Sequence, residues 1–265
     1  MVRFVSLSSG SNGNCYYIGN ERCAFLIDAG IGPRTIKKRL ASHDLSLGSV
    51  RFVLVTHEHI DHIKSVGMLA EKMKLPVYAT RKLHSVLAYH FCTRGRLSGC
   101  IRHTALGEWS EVDDIKFTPF AVPHDAAETV GYHIEIDGVR FTFATDVGDI
   151  TPELVKYASL ANVLILESNY DEQMLANGSY TAHLKARISS GNGHLSNSKA
   201  AGLVRQVYSR QMKALFLCHL SENNNTPVLA LNSIESALES VGALPGRDII
   251  VEPLPRRTSS HVYTF

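Results

Sequence analysis

The chain has 265 residues, 45% hydrophobic and 20% charged, with a formal net charge of +2. That balance excludes a disordered polyelectrolyte, supplies enough apolar material for one sizeable core, and is too mild to announce a nucleic-acid binder on charge alone. The stretch Met1 to Leu7 lacks the basic start and long apolar run of a secretory signal, and nothing approaches the roughly 18 apolar residues of a membrane span, so a cytoplasmic protein without a membrane partner is expected.

Strands are predicted over Arg3 to Leu7, Cys15 to Ile18 and Ala24 to Ile27, followed by a helix from Pro33 to Ser42 whose proline suits a first turn. The apolar stretch Arg51 to Val55 reads as a strand, and a helical run extends to about Lys72; a further helix starts near Arg81. Ile115 to Val122, Val130 to Ile136 and Val139 to Ala144 look like successive strands, the last two joined by the Asp137-Gly138 hairpin signal. Helices over Pro152 to Ala158, Ser196 to Tyr208 and Pro227 to Val241 then alternate with strands over Val163 to Glu167, Ala214 to Cys218 and Ile249 to Val251. Two strand-rich halves, each ending in helices and undivided by any linker or repeat, predict a single domain over 1–265. Its expected architecture is a four-layered αβ/βα sandwich with two sheets face to face and helices outside.

The most informative run is Thr56-His57-Glu58-His59-Ile60-Asp61-His62, directly after an apolar strand. Imidazole and carboxylate donors without thiolate suit Zn²⁺, Mn²⁺ or Fe rather than a closed cysteine site. Alternation along an extended segment would let His57, His59 and Asp61 converge while His62 opens the next helix. The bland alternative, a histidine-rich surface tract, fits poorly against a buried strand. Further ligands are then expected at the carboxyl ends of other apolar strands, and His124, Asp146 and His219 each occupy such a position. His90, Cys92, Cys100 and His103 offer donors for a second, structural zinc, but their spacing matches no finger; five scattered cysteines read more simply as reduced thiols.

In this set of motifs the sequence resembles the metallo-β-lactamase superfamily, with its His-x-His-x-Asp-His signature followed by histidine, aspartate and histidine. The segments Ser8 to Cys15, Leu26 to Gly30, Glu167 to Asp171, Gly193 to Asn197 and Cys218 to Asn224 look like its YycJ/WalJ (VicX-like) branch, over nearly the whole chain. The resemblance implies an α/β metallo-β-lactamase sandwich of two mixed sheets flanked by helices. It implies two divalent ions, Zn²⁺ or Mn²⁺, one held by His57, His59 and His124 and the other by Asp61, His62 and His219, with Asp146 bridging. Asp28 would support a ligand imidazole. The implied activity is a cytoplasmic metal-dependent phosphodiesterase, a 5′-to-3′ DNA exonuclease using a metal-bridging hydroxide, with RNA as the other polymer. A hydrolase of a small ester, thioester, lactone or cyclic phosphodiester is the competing reading, because one fold serves many reactions.

Within that frame Asp61 and Asp146 are the expected catalytic carboxylates. His194, after the flexible Ser189 to Gly193 loop, is the candidate to protonate the leaving oxygen, and Glu167 to hold its ring. The competing reading makes His194 a mere neighbour of the cap of the helix starting at Ser196. Candidate substrate contacts are His183, Lys185 and Arg187 on one helical stretch, with Ser196 and Asn197; a solvated helix face is the alternative for the first three.

Overall fold

Side chains alternate between two apolar environments along each strand, and this period of two builds the architecture. In the computed structural model, which describes residues 1–265, β1 (Arg3–Ser8), β2 (Cys15–Gly19) and β3 (Ala24–Ile27) are antiparallel neighbours. Then α1 (Pro33–Ala41) leads to β4 (Val50–Leu54), parallel to β3. The short α2 (Ile60–Ile63) and α3 (Val66–Met73) precede β5 (Val77–Thr80), and α4 (Arg81–Leu87) precedes β6 (Ile101–Thr104), again in parallel pairs.

The second sheet opens as an antiparallel meander of β7 (Ser110–Val112), β8 (Ile115–Ala121), β9 (Val130–Ile136) and β10 (Val139–Ala144). It continues in parallel through α5 (Pro152–Leu160) to β11 (Val163–Glu167) and through α6 (Glu172–Asn177), α7 (Ala182–Ser189) and α8 (Asn197–Val207) to β12 (Ala214–Cys218). A last crossover, α9 (Pro227–Ser240), reaches β13 (Ile250–Pro253), and β14 (Tyr263–Thr264) returns to pair with β1. The strand orders are β14-β1-β2-β3-β4-β5-β6 and β13-β12-β11-β10-β9-β8-β7.

Phe25 and Ile27 of β3 enter the layer between the sheets while Ala24 and Leu26 face the helices; Val163 and Ile165 of β11 enter the same layer, and Leu164 and Leu166 face outward. The shared layer is aromatic, with Phe52 stacked on Phe25 at 5.0 Å and lying 5.5 Å from Phe117 of the other sheet. Two mixed sheets between two helical layers make the four-layered αβ/βα sandwich expected from the sequence.

Two local features differ from expectation. The helical run after His62 is broken, because Ala29 enters the gap: its N–H donates to the His62 carbonyl at 2.7 Å and its carbonyl accepts from Ser65 at 2.8 Å. The edge strand β6 was also unexpected: Ile101, Arg102 and His103 are all exposed, so no apolar alternation announces a strand that its pairing with β5 creates. No helix is long and apolar enough to cross a membrane. Cys92 and Cys100 are free and buried in the helix-side core of the first sheet, and the Cys100 thiol donates to the Ala70 carbonyl rather than joining a metal cluster.

Candidate metal centre

The carboxyl ends of β3, β4, β8, β10, β11 and β12 lie at one edge of the sandwich, β3–β4 and β10–β11–β12 through parallel pairing and β8 because both it and β10 run antiparallel to β9, and they deliver Asp28, His57, His124, Asp146, Glu167 and His219. Asp28 and His219 both take left-handed backbone, at φ 57 and φ 51, so their strands end in sharp turns that aim the side chains inward. The loop after β3 is locked to the motif: Ala29 N–H donates to the His62 carbonyl at 2.7 Å, and a Cβ on Gly30 would lie 1.6 Å from the Asp61 carbonyl oxygen, which accepts from the N–H of Asn14, just before β2, at 2.6 Å. Only glycine allows this approach.

Donor atoms of His57, His59 and His124 come within 4.8 Å of one another, as do those of Asp61, His62 and His219 and those of His57, His62 and Asp146. Asp146 lies between the sets, 3.1 Å from His62 Nε2 and 3.8 Å from His124 Nε2. Starting α2 at Ile60 turns the chain, so Asp61 joins His62 and His219 rather than the His57–His59 pair that strand alternation suggested.

The rings are fixed from behind. His62 Nδ1 donates to Asp28 at 2.6 Å, and Asp28 also accepts from the Thr56 amide at 2.9 Å and hydroxyl at 2.8 Å. His124 Nδ1 donates to the Gly193 carbonyl at 2.8 Å, and His57 Nδ1 contacts the Thr56 hydroxyl at 3.0 Å. Glu167, fully buried, accepts from His194 Nδ1 at 2.8 Å and His219 Nδ1 at 2.9 Å with one oxygen, and from the Val147 and Leu195 amides at 2.8 Å and 3.0 Å with the other. Occupying Nδ1 in this way selects the tautomer whose Nε2 lone pair faces the centre.

Those inward atoms are the ones left over: Nε2 of His57, His124 and His219 and Oδ2 of Asp146 are buried without a hydrogen-bond partner. Buried polar atoms are seldom orphaned, and three convergent imidazole nitrogens with a carboxylate fit a divalent cation. Burial pushes His57 well below its ordinary value, which leaves its lone pair free. Burial also opposes charge on His219, but Asp146, Asp61 and Glu167 outweigh it and hold the ring at about 10. A cation arriving there displaces a proton, so loading is coupled to proton release.

Comparison with known proteins agrees with this geometry. A sequence model of the Beta-lactamase superfamily domain matches residues 24–219. Exodeoxyribonuclease YycJ of Bacillus anthracis is 34% identical over 242 residues, covering 91% of this chain and 90% of its own. The chain belongs to the YycJ/WalJ branch of the metallo-β-lactamase superfamily. Exodeoxyribonuclease WalJ of Streptococcus pneumoniae is 32% identical over 229 residues, covering 86% of this chain and 85% of its own. Among solved structures, the metallo-β-lactamase fold protein YhfI of Bacillus subtilis superposes with a TM-score of 0.70 over 98% of both chains at 14% identity, a likeness of fold. The metallo-β-lactamase fold implies divalent metal ions, and the chain is a metal-dependent hydrolase.

The remaining candidates of this YycJ/WalJ-branch protein fall into place unevenly. His194 stands beside the centre, 3.8 Å from Asp146 through Nδ1, with 23% of its side chain exposed; Ser196, not His194, caps α8. Ser196 and Asn197, expected at substrate, are buried, with the first accepting from the Lys199 amide and the second from the Ser168 hydroxyl at 2.6 Å. Arg187 is paired with Asp125, Lys185 donates to the Ala176 carbonyl at 2.6 Å, and His183 is exposed on α7.

Four contributors were not foreseen in these roles. Thr56 supports two rings through Asp28 and directly, Asn14 Nδ2 lies 2.9 Å from His62 Nε2, the Gly193 carbonyl orients His124, and Asp125 Oδ1 lies 3.3 Å from His124 Nε2. Thr56 and Asp125 each adjoin a motif histidine, which was the available signal. Asn14 was legible only as part of a glycine-rich loop, and a backbone carbonyl leaves no mark in sequence.

Proposed function

We propose that this hydrolase is a dinuclear metal-dependent exodeoxyribonuclease that degrades DNA in the 5′-to-3′ direction. The supporting observation is the convergence of buried donors lacking hydrogen bonds at one edge of the sandwich, in a chain whose relatives are named exodeoxyribonucleases. In this reading His57, His59 and His124 hold one ion, Asp61, His62 and His219 hold the other, and Asp146 faces both. When bound, two divalent ions lower the pKa of a shared water and clamp a phosphoryl oxygen during in-line attack.

The chain's own residues do the rest. Asp146 orients the attacking water through its second oxygen. Asp28 and Glu167 keep His62 and His219 in the tautomer that presents Nε2, and Glu167, with all its acceptor capacity committed, acts as a positioning residue rather than one that meets substrate. His194 has its Nδ1 proton held by Glu167, and although burial lowers its proton affinity, Glu167 raises it above the ordinary value. A protonated ring at the rim can deliver a proton from Nε2 to the leaving 3′-oxygen.

The test is release of nucleotides from linear DNA labelled at either end, with Mn²⁺ or Zn²⁺ supplied, by the parent protein and by Asp146→Ala. The expected result is metal-dependent release from the 5′ end, abolished in the folded variant. Hydrolysis of a thioester or lactone with no DNA degradation would overturn the reading.

A further inference from the structure

Helix α7 buries none of its residues, so its place beside the metal centre is set by its ends and by polar contacts. At its start the Thr181 hydroxyl accepts from the Leu184 amide at 3.3 Å, and Lys185 is tied back to the Ala176 carbonyl of α6 at 2.6 Å. Arg187, in its last turn, reaches instead to the loop after β8, where Nε and Nη2 of the guanidinium meet Asp125 Oδ2. Its Nη1 has no partner, and 57% of the side chain is exposed.

An exposed ion pair ordinarily contributes little to stability, but this one is anchored at the centre. Asp125 directly follows His124, and its Oδ1 lies 3.3 Å from His124 Nε2 without hydrogen-bonding to it. That nitrogen is one of the orphaned atoms that face inward, so a single carboxylate separates the guanidinium from the cluster of donors. The backbone after Arg187 is fastened to the same point. A Cβ on Gly193 would lie 2.2 Å from the Arg187 and Ile188 carbonyls, the Gly193 carbonyl holds His124 Nδ1 at 2.8 Å, and the His194 amide donates to the Ile188 carbonyl at 2.9 Å. With the His124 and His194 rings 5.0 Å apart, the end of α7 and these two histidines form one positioned unit.

Resting on the nuclease reading, we propose that Arg187 is a catalytic residue that donates to a non-bridging oxygen of the scissile phosphate, and that Asp125 is the positioning residue that holds it there before the strand arrives. Asp125 occupies one edge of the planar guanidinium, and the edge bearing Nη1 is left for phosphate. As the attacking hydroxide adds to phosphorus and the P–O3′ bond breaks, negative charge grows on the non-bridging oxygens. The leaving 3′-oxygen takes its proton from His194, and Arg187 opposes the charge that stays on the phosphoryl group. A cation already held by a carboxylate needs no reorganisation when that charge appears. His183 and Lys185 have no such tie to the centre: the first is exposed and the second is committed to Ala176.

The experiment is steady-state degradation of 5′-labelled linear DNA with Mn²⁺ supplied, with bound metal and melting temperature measured on every variant. Arg187→Gln should lower kcat by about 10²–10³-fold while KM stays within about threefold of the parent, and its metal content and melting should be parental. Arg187→Lys, which keeps the charge without the fork, should recover only part of that loss. Asp125→Asn leaves the guanidinium present but unheld and should lower kcat by up to about 10²-fold. Added to Arg187→Gln it should cost nothing more, because it acts through the same group. Parental kcat in Arg187→Gln, or a raised KM alone, would overturn this proposal and leave the nuclease reading standing. So would a loss of bound metal or of melting temperature that accounts for the lost rate, which would make the pair a structural strut. A parent protein that releases no nucleotides would overturn both readings.

Discussion

Glu167 accepts from two imidazoles and two backbone amides, so its effect reaches the metal centre and the rim histidine together. Glu167→Gln replaces one acceptor oxygen by a donor that must face N–H groups. The expected outcome is a loss of metal affinity of about 10–100-fold together with lower turnover. His194→Gln should lower turnover by about 10²–10⁴-fold while metal content stays parental. Metal titration beside the DNA assay separates the two, and a His194→Gln protein with parental turnover would remove the ring from the reaction. Far from the centre, His133 donates through Nδ1 to the Thr142 hydroxyl at 2.8 Å, and burial, then Arg140 and Lys156, depress it from 6.5 to about 4. The unfolded chain takes up this proton near 6.5 and the folded chain only near 4, so the stability of the neutral ring is complete above pH 6.5 and is lost as pH falls through 4. The shift corresponds to about 3 kcal/mol. His133→Asn, which keeps a donor toward Thr142, should flatten that part of the stability profile in urea titrations at stepped pH; an unchanged slope would contradict the assignment.

At the level of elements, the site depends on the loop after β3 wedging into the break between α2 and α3. Gly30→Ala places a Cβ on the Asp61 carbonyl, so α2 must move. The expected cost is about 3 kcal/mol or more, with weakened metal binding, measured by denaturant unfolding and metal titration; a change under about 1 kcal/mol would show that the loop yields freely. The continuous apolar runs β3, β11 and β12 and the alternating strands β9 and β10 were legible to the residue because both patterns are local properties. The break after Ile63 and strand β6 were not, since each is made by a partner distant in sequence: Ala29 in one case, β5 in the other. Asp61 shows the same limit within the motif, where extended alternation grouped it with His57 and His59 and the onset of α2 reassigned it.

Across the whole molecule, the metal centre spans both halves of the sandwich, with His57, His59, Asp61 and His62 following β4 and His124, Asp146 and His219 following strands of the other sheet. The histidine motif made this centre readable because donors of one chemical type recur at strand ends. The tautomer-setting contacts of Thr56 and Gly193 were hidden, since hydroxyls and carbonyls are everywhere in a sequence. The most direct measurement is the rate of nucleotide release from 5′-labelled DNA as Mn²⁺ or Zn²⁺ is titrated into metal-free protein, with bound ions counted per chain in parallel. The account predicts no release without metal and a rate that climbs until two ions are bound. Full activity at one ion, or two bound ions with no release of nucleotides, would contradict it.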